Sequence, residues 1–263
     1  MTEQPTGPRV AVETSGGVAR IALDSPHNRN ALSDQLVREL RAALAAAEAD
    51  PGVRTVVLTH TGGTFCAGAD LTEASSGPVG DPARARADQL IDLLRAIVAL
   101  DKPVVGRIDG HVRAGGMGLV AACDVVVAGP GSTFALTESR LGLAPSVISL
   151  TVVPRLTSRA ATESFLTGDK FDAARALQIG LVSRAVDRSD EVDAAVAEFV
   201  ASFAACSPQG LRESKALLNH HLLETFAADR ERLAEQSSRL FASEEAREGM
   251  AAFLQRRPPR WTS

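Results

Sequence analysis

Two glycine-bearing stretches decide the fold of this chain: FCAGADL at residues 65–71 and GHVRAGGMG at residues 110–118. Each follows a short apolar run that is typical of a buried strand. A strand that breaks at small residues and turns into a helix leaves its next backbone N–H groups unpaired, at the positive end of the new helix. Two such turns can hold one developing oxyanion between them.

Neither stretch has the pattern of a phosphate-binding loop. The Gly-Lys-Ser/Thr ending and the Gly-x-Gly-x-x-Gly spacing are both missing from the two stretches. Close packing of a helix on a strand is the structural alternative for Gly115 and Gly116, and it competes with the oxyanion interpretation.

Composition restricts the class of protein. A chain of 263 residues with 45% hydrophobic and 23% charged residues can bury one large core, or one core with an appended subdomain. A formal charge of -4 argues against a nucleic-acid partner. Three widely separated cysteines argue against a disulfide framework or a zinc site. With no apolar signal core at the N-terminus and no membrane-length apolar run, we expect a cytoplasmic protein without a membrane partner.

Periodicity along the chain predicts an α/β fold. Residues 10–12 and 18–23 alternate as a β-hairpin around Ser15-Gly16-Gly17, and Ser33 caps an amphipathic helix that runs to Ala49. Strands and helices then alternate as far as residue 136, which indicates a mostly parallel sheet covered by helices. Beyond about residue 145 the pattern is helical, with one short strand at 181–185. The predicted helices there are 158–166, 172–179, 190–205, 209–219, 224–241 and 244–254.

The chain resembles the crotonase superfamily, the enoyl-CoA hydratase/isomerase fold, from about Val10 to Trp261. The resemblance implies a crotonase-like spiral of ββα units with a C-terminal helical trimerisation region. It divides the chain into a core for acyl-CoA binding and catalysis, residues 1–200, and an oligomerisation region, residues 201–263. The implied assembly is a homotrimer or a dimer of trimers. The motifs that carry the resemblance are NRNALS (28–33), FCAGADL (65–71), residues 110–124, LTG (166–168), GLV (180–182) and EGMAAFL (248–254).

For the reaction, the resemblance implies an oxyanion hole built from the backbone N–H groups of Ala69 and Gly115. The positions of the two glutamates in the family's hydratases are Gly118 and Glu138 here. Glu138 is the candidate general base and acid, with an exposed and merely solvated carboxylate as the alternative. Gly118 has no side chain, so another group would have to position a water molecule. The candidates for that role are Arg140, Ser146, Glu73 and His111.

The resemblance also implies that coenzyme A is bound as part of the substrate, with no other cofactor. Arg29, Ala31, Ala67 and Asp70 are the implied contacts in the N-terminal half, and Phe253 and Arg256 those at the C-terminal end. We expect no metal, because the histidines lack the His-Glu-x-x-His pattern, and no serine nucleophile, because Gly-x-Ser-x-Gly is missing. Cys66 is interpreted as a small buried apolar residue.

The leading hypothesis is an enoyl-CoA hydratase-type lyase that adds water to a 2-enoyl-CoA. Residues 141–149, LGLAPSVIS, together with Gly118 and Glu138, resemble a branch that includes methylglutaconyl-CoA hydratase. A branched or carboxylated acyl chain would suit that branch, with Arg113 or Arg140 as partner of the carboxylate and surface ion pairing as the alternative for both. A Δ3,Δ2-enoyl-CoA isomerase, a non-catalytic binder of CoA thioesters and a helical interaction module remain as alternatives.

Overall fold

A computed structural model describes residues 7–70 and 81–262 of the chain. Residues 75–82, whose serine, glycine and proline content predicts a loop, lie mostly outside these ranges, and Glu73 lies wholly outside them. Among the residues that are described, no helix is both long enough and apolar enough to cross a membrane.

The chain enters the fold through the β-hairpin that the sequence predicts. Strands β1 (Val10–Ser15) and β2 (Val18–Leu23) pair in the antiparallel sense. Gly16 and Gly17 join them with φ angles of 56° and 79°, and a two-residue type I′ turn requires positive φ at both positions. Alternate residues of β2 are buried, so this strand contributes the first apolar face of a sheet.

The strands form two sheets rather than the single sheet that the sequence predicts. The larger has six strands in the order β1-β2-β3-β5-β7-β10, all parallel after the hairpin, and the smaller has four in the order β4-β6-β8-β9. The strands after the hairpin are β3 (Thr55–His60), β4 (Thr64–Cys66), β5 (Val104–Ile108), β6 (His111–Arg113), β7 (Val125–Ala128), β8 (Thr133–Ala135), β9 (Phe171–Asp172) and β10 (Arg184–Ala185).

The second sheet arises because each strand of the first is followed closely by a short partner. β3, β5 and β7 lie in the larger sheet, and β4, β6 and β8 continue from them into the smaller one. Runs of two or three residues are too short to show an alternating pattern, which is why the sequence analysis missed β4, β6 and β9. This repeated pairing confirms the predicted crotonase-like spiral.

Helices pack against the sheets and against one another. The first, α1, is capped by Ser33, whose Oγ accepts a hydrogen bond from Leu36 N at 3.3 Å, and it buries Leu36, Leu40 and Leu44 on one face. The described helices are α1 (Asp34–Ala49), α2 (Asp81–Ala99), α3 (Gly115–Ala122), α4 (Ser149–Val152), α5 (Ser158–Thr167), α6 (Ala173–Gln178), α7 (Val192–Ala204), α8 (Pro208–Phe241) and α9 (Glu244–Leu254).

In the C-terminal half, one long helix replaces two helices that the sequence predicts. Residues 209–219 and 224–241 were expected to form two helices, but α8 runs unbroken from 208 to 241. The intervening residues, His220 to Leu223, include no glycine or proline that would end a helix, and the exposed histidine pair only interrupts the apolar periodicity. The predicted division at residue 200 falls within α7 and stays a prediction.

A buried ion pair ties α8 to the larger sheet. The side chain of Lys215 is only 7% exposed, and its Nζ donates to Asp124 Oδ2 at 2.7 Å and to two backbone carbonyl groups, those of Ile97 and Lys102. Asp124 Oδ2 also accepts from Val104 N at the start of β5. Every hydrogen of the ammonium group therefore has an acceptor, which is the condition for burying a charge at tolerable cost.

Replacing Asp124 with alanine should leave the Lys215 ammonium group buried without its counter-charge. We expect Asp124→Ala to lower the free energy of unfolding by about 3 kcal/mol, measured by urea denaturation. The matched control is Asp190→Ala, which removes an aspartate whose ion pair with Arg188 is exposed and should change stability little. Equal effects of the two substitutions would contradict the structural role of the buried pair.

Candidate active site

The two glycine-bearing turns lie in direct contact. β4 and β6 are parallel neighbours in the smaller sheet, so the turns that follow them leave the same edge. A Cβ atom added to Gly68 would lie 2.7 Å from the Cβ of Ala114, and one added to Gly115 would lie 3.7 Å from the Cα of Gly68. Since Gly68 also has a φ of 92°, glycine is required there on both steric and conformational grounds.

Each turn presents a backbone N–H group without an acceptor. Ala114 N donates to Ala135 O at 3.1 Å, and Met117 N donates to Ala114 O at 2.8 Å, whereas Gly115 N donates to no group among the described residues. The same holds for Ala69 N in the range that the structure covers. Gly115 is the first residue of α3, where the helix dipole adds a positive field. The two contacting turns therefore carry two backbone donors that the described residues leave without an acceptor.

Glu138 follows β8, the strand beside β6. Ala135 at the end of β8 pairs with Arg113 at the end of β6, so the chain leaves both strands at the same edge. Glu138 then begins a single 3-10 turn, Glu138–Leu141. This topology brings the turn that carries Glu138 to the edge of the smaller sheet where the two glycine-bearing turns begin.

The carboxyl group of Glu138 is desolvated. Its Oε2 is buried and accepts no hydrogen bond from the described part of the chain. Burial raises the pKa of Glu138 from 4.5 to about 7, because water no longer stabilises the charged form. Burial of Oε2 argues against the alternative of a merely solvated carboxylate. A carboxyl group with a pKa near neutrality can both take up and release a proton at working pH.

The C-terminal helix supports the turn that carries Glu138. Gly142, which ends that turn, would place an added Cβ 2.5 Å from the carbonyl carbon of Glu245. Gly249 in the middle of α9 would place one 2.4 Å from the backbone oxygen of Leu141. Two glycines thus allow α9 to lie directly on the backbone of the turn. The sequence showed both glycines within recognisable motifs but not that they meet.

Gly118 lies where a second carboxylate would be expected, and the space beside it is filled. A Cβ atom at this position would lie 2.6 Å from Cγ2 of Ile148. Thr151 Oγ1 donates to Gly118 O at 3.1 Å, so the segment around α4 packs closely on α3. The glycine therefore serves helix packing, and the structure has no space for a glutamate side chain unless Ile148 moves.

The implied coenzyme A contacts of the N-terminal half lie together. Ala67 N donates to Arg29 O at 3.1 Å, and Asn28 Nδ2 donates to Asp70 Oδ2 at 3.2 Å, so residues 28–31 lie against the first oxyanion turn. Ala31 is buried, whereas the Arg29 side chain is exposed and has no ion-pair partner among the described residues. An exposed guanidinium beside the site is suited to a phosphate group.

Asn30 holds this segment in place, a role that sequence reasoning missed. Its φ is 54°, and its buried side chain accepts from Ser25 N at 2.6 Å and donates to Thr61 O and Thr64 O at 3.1 and 2.8 Å. The sequence could have indicated this role, because asparagine tolerates the left-handed conformation and its side chain can form hydrogen bonds with neighbouring backbone groups.

Phe253 and Arg256 lie apart from that group, on the C-terminal segment. Phe253 is 54% exposed on α9, and Arg256 follows the helix with a φ of 54° while its N–H donates to Phe253 O. The structure therefore places them beside the helix that supports the Glu138 turn. Their contact with coenzyme A stays a prediction.

The candidates for positioning water or binding a substrate carboxylate are engaged elsewhere. Arg113 donates to Thr133 O and Thr133 Oγ1 at 2.6 and 2.8 Å, and burial lowers its pKa. Arg140 pairs with Asp169 and donates to Thr167 O. These bonds favour the ion-pairing and packing alternatives for both arginines. The remaining contacts are His111 Nδ1 with Thr133 Oγ1 at 2.9 Å and Ser146 Oγ with Ala144 O at 3.4 Å.

Other chemistry has little support at this site. Cys66 is fully buried, and desolvation raises its pKa to about 12, so it is a packed apolar side chain rather than a nucleophile. Within the described ranges, one group of possible metal ligands lies together: His220, His221 and Glu224 on α8, all exposed. None of them belongs to the elements that build the oxyanion turns or carry Glu138.

Comparison with known proteins agrees with this geometry. The family model described as enoyl-CoA hydratase/isomerase matches residues 13–263. The crystal structure of an enoyl-CoA hydratase from Mycobacterium avium superposes with a TM-score of 0.89 at 54% identity, covering 97% of this chain and 100% of the other. A carnitinyl-CoA dehydratase of Proteus mirabilis is 31% identical over 253 residues, 94% of this chain and 96% of that protein. By the family model that matches residues 13–263, by relatives of more than 30% identity and by its two-sheet spiral, the chain belongs to the enoyl-CoA hydratase/isomerase family, the crotonase superfamily.

Proposed function

We propose that this protein is an enoyl-CoA hydratase-type lyase that adds water to a 2-enoyl-CoA thioester. The observation that carries the proposal is Glu138: its Oε2 is buried and accepts no hydrogen bond from the described residues, burial raises its pKa to about 7, and its turn leaves the same sheet edge as the turns that carry the Ala69 and Gly115 donors. The names of similar proteins, including an enoyl-CoA hydratase and a carnitinyl-CoA dehydratase, support hydration and dehydration chemistry.

Addition of water at the β carbon moves electrons onto the thioester oxygen and forms an enolate. The N–H groups of Ala69 and Gly115 stabilise that oxyanion, and one such donor in a dry site contributes about 3 kcal/mol to lowering the barrier. The ionised Glu138 carboxylate accepts the proton that the water loses. Glu138 then returns a proton to the α carbon, which restores the carboxylate for the next turnover.

The same proposal assigns the coenzyme A moiety to the surface beside the first turn. Arg29 pairs with a phosphate group, and the backbone at Ala31 and Ala67, with Asp70, lines the region that receives the nucleotide. Phe253 and Arg256 contribute an aromatic face and a guanidinium from the C-terminal segment. A branched or carboxylated acyl chain remains part of the proposal.

A Δ3,Δ2-enoyl-CoA isomerase is the second candidate, favoured by the packing at Gly118. With Ile148 filling the space of the missing glutamate, Glu138 is the single carboxylate of the two family positions. One carboxylate is sufficient to move a proton between C2 and C4 of an enoyl chain, because no water has to be activated. The oxyanion turns serve either reaction equally.

One experiment separates these functions. The protein is incubated with crotonyl-CoA, 3-methylglutaconyl-CoA and a 3-enoyl-CoA, and product mass and enone absorbance are followed. A gain of one water with loss of enone absorbance supports the hydratase. Unchanged mass with a rise in absorbance supports the isomerase. Binding of all three thioesters without turnover would leave only the non-catalytic binder.

The assembly and location are proposed on separate observations. Leu217 and Leu218 are adjacent on α8 and 80% and 84% exposed, as expected for a surface covered in a homotrimer or a dimer of trimers. Three free cysteines are compatible with a reducing cytoplasm. Sedimentation velocity should show a trimer or hexamer, and a monomer would contradict this part of the proposal.

Glu138→Gln keeps the shape of the side chain but removes its ability to exchange a proton. We expect kcat to fall by about 10²–10⁴-fold while thioester binding is retained, measured by steady-state kinetics and calorimetric titration. Glu198→Gln, which changes an exposed glutamate paired with Arg184, is the control and should keep full activity. Wild-type kcat in Glu138→Gln would exclude the proposed mechanism.

The pKa of Glu138 also links stability to pH. Because the folded-state pKa is about 7 and the ordinary value is 4.5, the folded chain retains a proton that the unfolded chain releases, and stability is lost as pH rises between these values. Glu138→Gln should therefore gain about 2–3 kcal/mol of unfolding free energy over the wild type between about pH 5 and about pH 8. Activity should show the opposite trend and fall below about pH 7 as the base is protonated. Urea titrations of both proteins at each pH test the stability difference, and a constant difference would contradict it.

A further inference from the structure

The backbone at Ala114, immediately before α3, has a conformation that alanine rarely adopts. Its φ is 46° and its ψ is -120°, outside the left-handed helical region in which Arg29, with φ 58° and ψ 40°, lies. This combination resembles the first central position of a type II′ turn, which glycine dominates because it has no Cβ. Such a residue persists only where the surrounding structure imposes its conformation.

Hydrogen bonds on both sides impose this conformation. Ala114 N donates to Ala135 O at 3.1 Å, which continues the pairing of β6 with β8, and Ala114 O accepts from Met117 N at 2.8 Å, which starts α3. The chain must therefore change from strand to helix at this single residue. Gly115, whose N–H donates to no group among the described residues, is fixed by the same change of direction.

The methyl group of Ala114 lies against the other turn. The position that a Cβ of Gly68 would occupy is 2.7 Å from the Ala114 Cβ, so the alanine methyl group fills the space that glycine leaves at residue 68. Gly68 O also accepts a hydrogen bond from Leu32 N at 2.8 Å. Gly68 is thus held by a hydrogen bond and by contact with a methyl group, directly before the donor Ala69.

We propose that Ala114 is a positioning residue: its methyl group, held at a strained backbone position, sets the spacing between the Ala69 and Gly115 N–H groups. Glycine would satisfy the backbone at less strain but would leave a gap between the turns. The strained backbone at Ala114 thus lowers the stability of the fold while it fixes the distance between the two donors. This inference rests on the proposed function, because it requires that the two donors bind one thioester oxygen.

Ala114→Gly tests the inference, because relief of the backbone strain should raise Tm, whereas loss of the spacing between the two donors should lower kcat. We expect Tm to rise by about 2–4 °C. We expect kcat to fall about tenfold with KM changed less than about twofold, since a small displacement of donors acts on the transition state. The control is Ala46→Gly on the exposed face of α1, which should lower Tm and leave kcat unchanged.

A second variant pair and a spectroscopic measurement separate positioning from a structural effect. Gly68→Ala should lose activity, and the double variant Gly68→Ala/Ala114→Gly should recover part of it, because the methyl group then fills the same gap from the other turn. In the Glu138→Gln background, the Raman carbonyl stretch of bound crotonyl-CoA should move towards its free value when Ala114→Gly is added.

The outcomes distinguish this inference from the function on which it rests. Wild-type kcat and an unchanged carbonyl stretch in the Ala114→Gly variants would overturn the positioning role while leaving the lyase proposal intact. Absence of turnover by the wild-type protein on all three thioesters would overturn the proposed function, and the positioning role with it. A fall in Tm in Ala114→Gly would overturn the claim of strain independently of any activity.

Discussion

Contact between the backbones at Gly68 and Gly115 is the constraint that the site depends on. β4 and β6 are parallel and adjacent, so the chain leaves both strands side by side, and a side chain at residue 68 would collide with Ala114. Only turns that approach this closely can direct two N–H groups at one atom. The smaller sheet aligns β4 with β6, and the glycines allow the two turns to approach because they have no Cβ atom. The N-terminus of α3 adds the positive end of a helix dipole.

The environment of Glu138 carries a cost in stability. A carboxyl group with one oxygen buried and without a hydrogen-bond donor among the described residues favours its protonated form and opposes folding when it ionises. The same desolvation makes the group a competent acid and base near neutral pH. The fold supports it by packing α9 on its turn through Gly142 and Gly249, so the C-terminal helix contributes to the site without supplying a reacting group.

The choice between hydration and isomerisation is concentrated at Gly118. Sequence alone shows that a carboxylate is missing there, and the structure shows that Ile148 occupies its place. Any water that adds to the substrate then lacks a carboxylate at residue 118, and of the groups suggested to orient it, Arg140, Ser146 and His111 form hydrogen bonds within the described chain. Arg113 and Arg140 are already hydrogen-bonded, so a substrate carboxylate would have to share or displace these contacts.

Local sequence determined the elements that have strong periodicity or a defined cap. The hairpin around Gly16 and Gly17 and the Ser33-capped helix were predicted closely, because their signals lie within a few neighbouring residues. The motifs also identified the candidate residues Ala69, Gly115 and Glu138. Only the tertiary structure showed the second sheet, because its strands are too short to show an alternating pattern of apolar residues. Likewise, only the structure showed that α8 continues across the polar histidine pair. It alone decided the burial of Glu138, the filling of the space at Gly118 and the contact of Ala114 with Gly68, because each depends on residues distant in sequence that meet only when the sheets form.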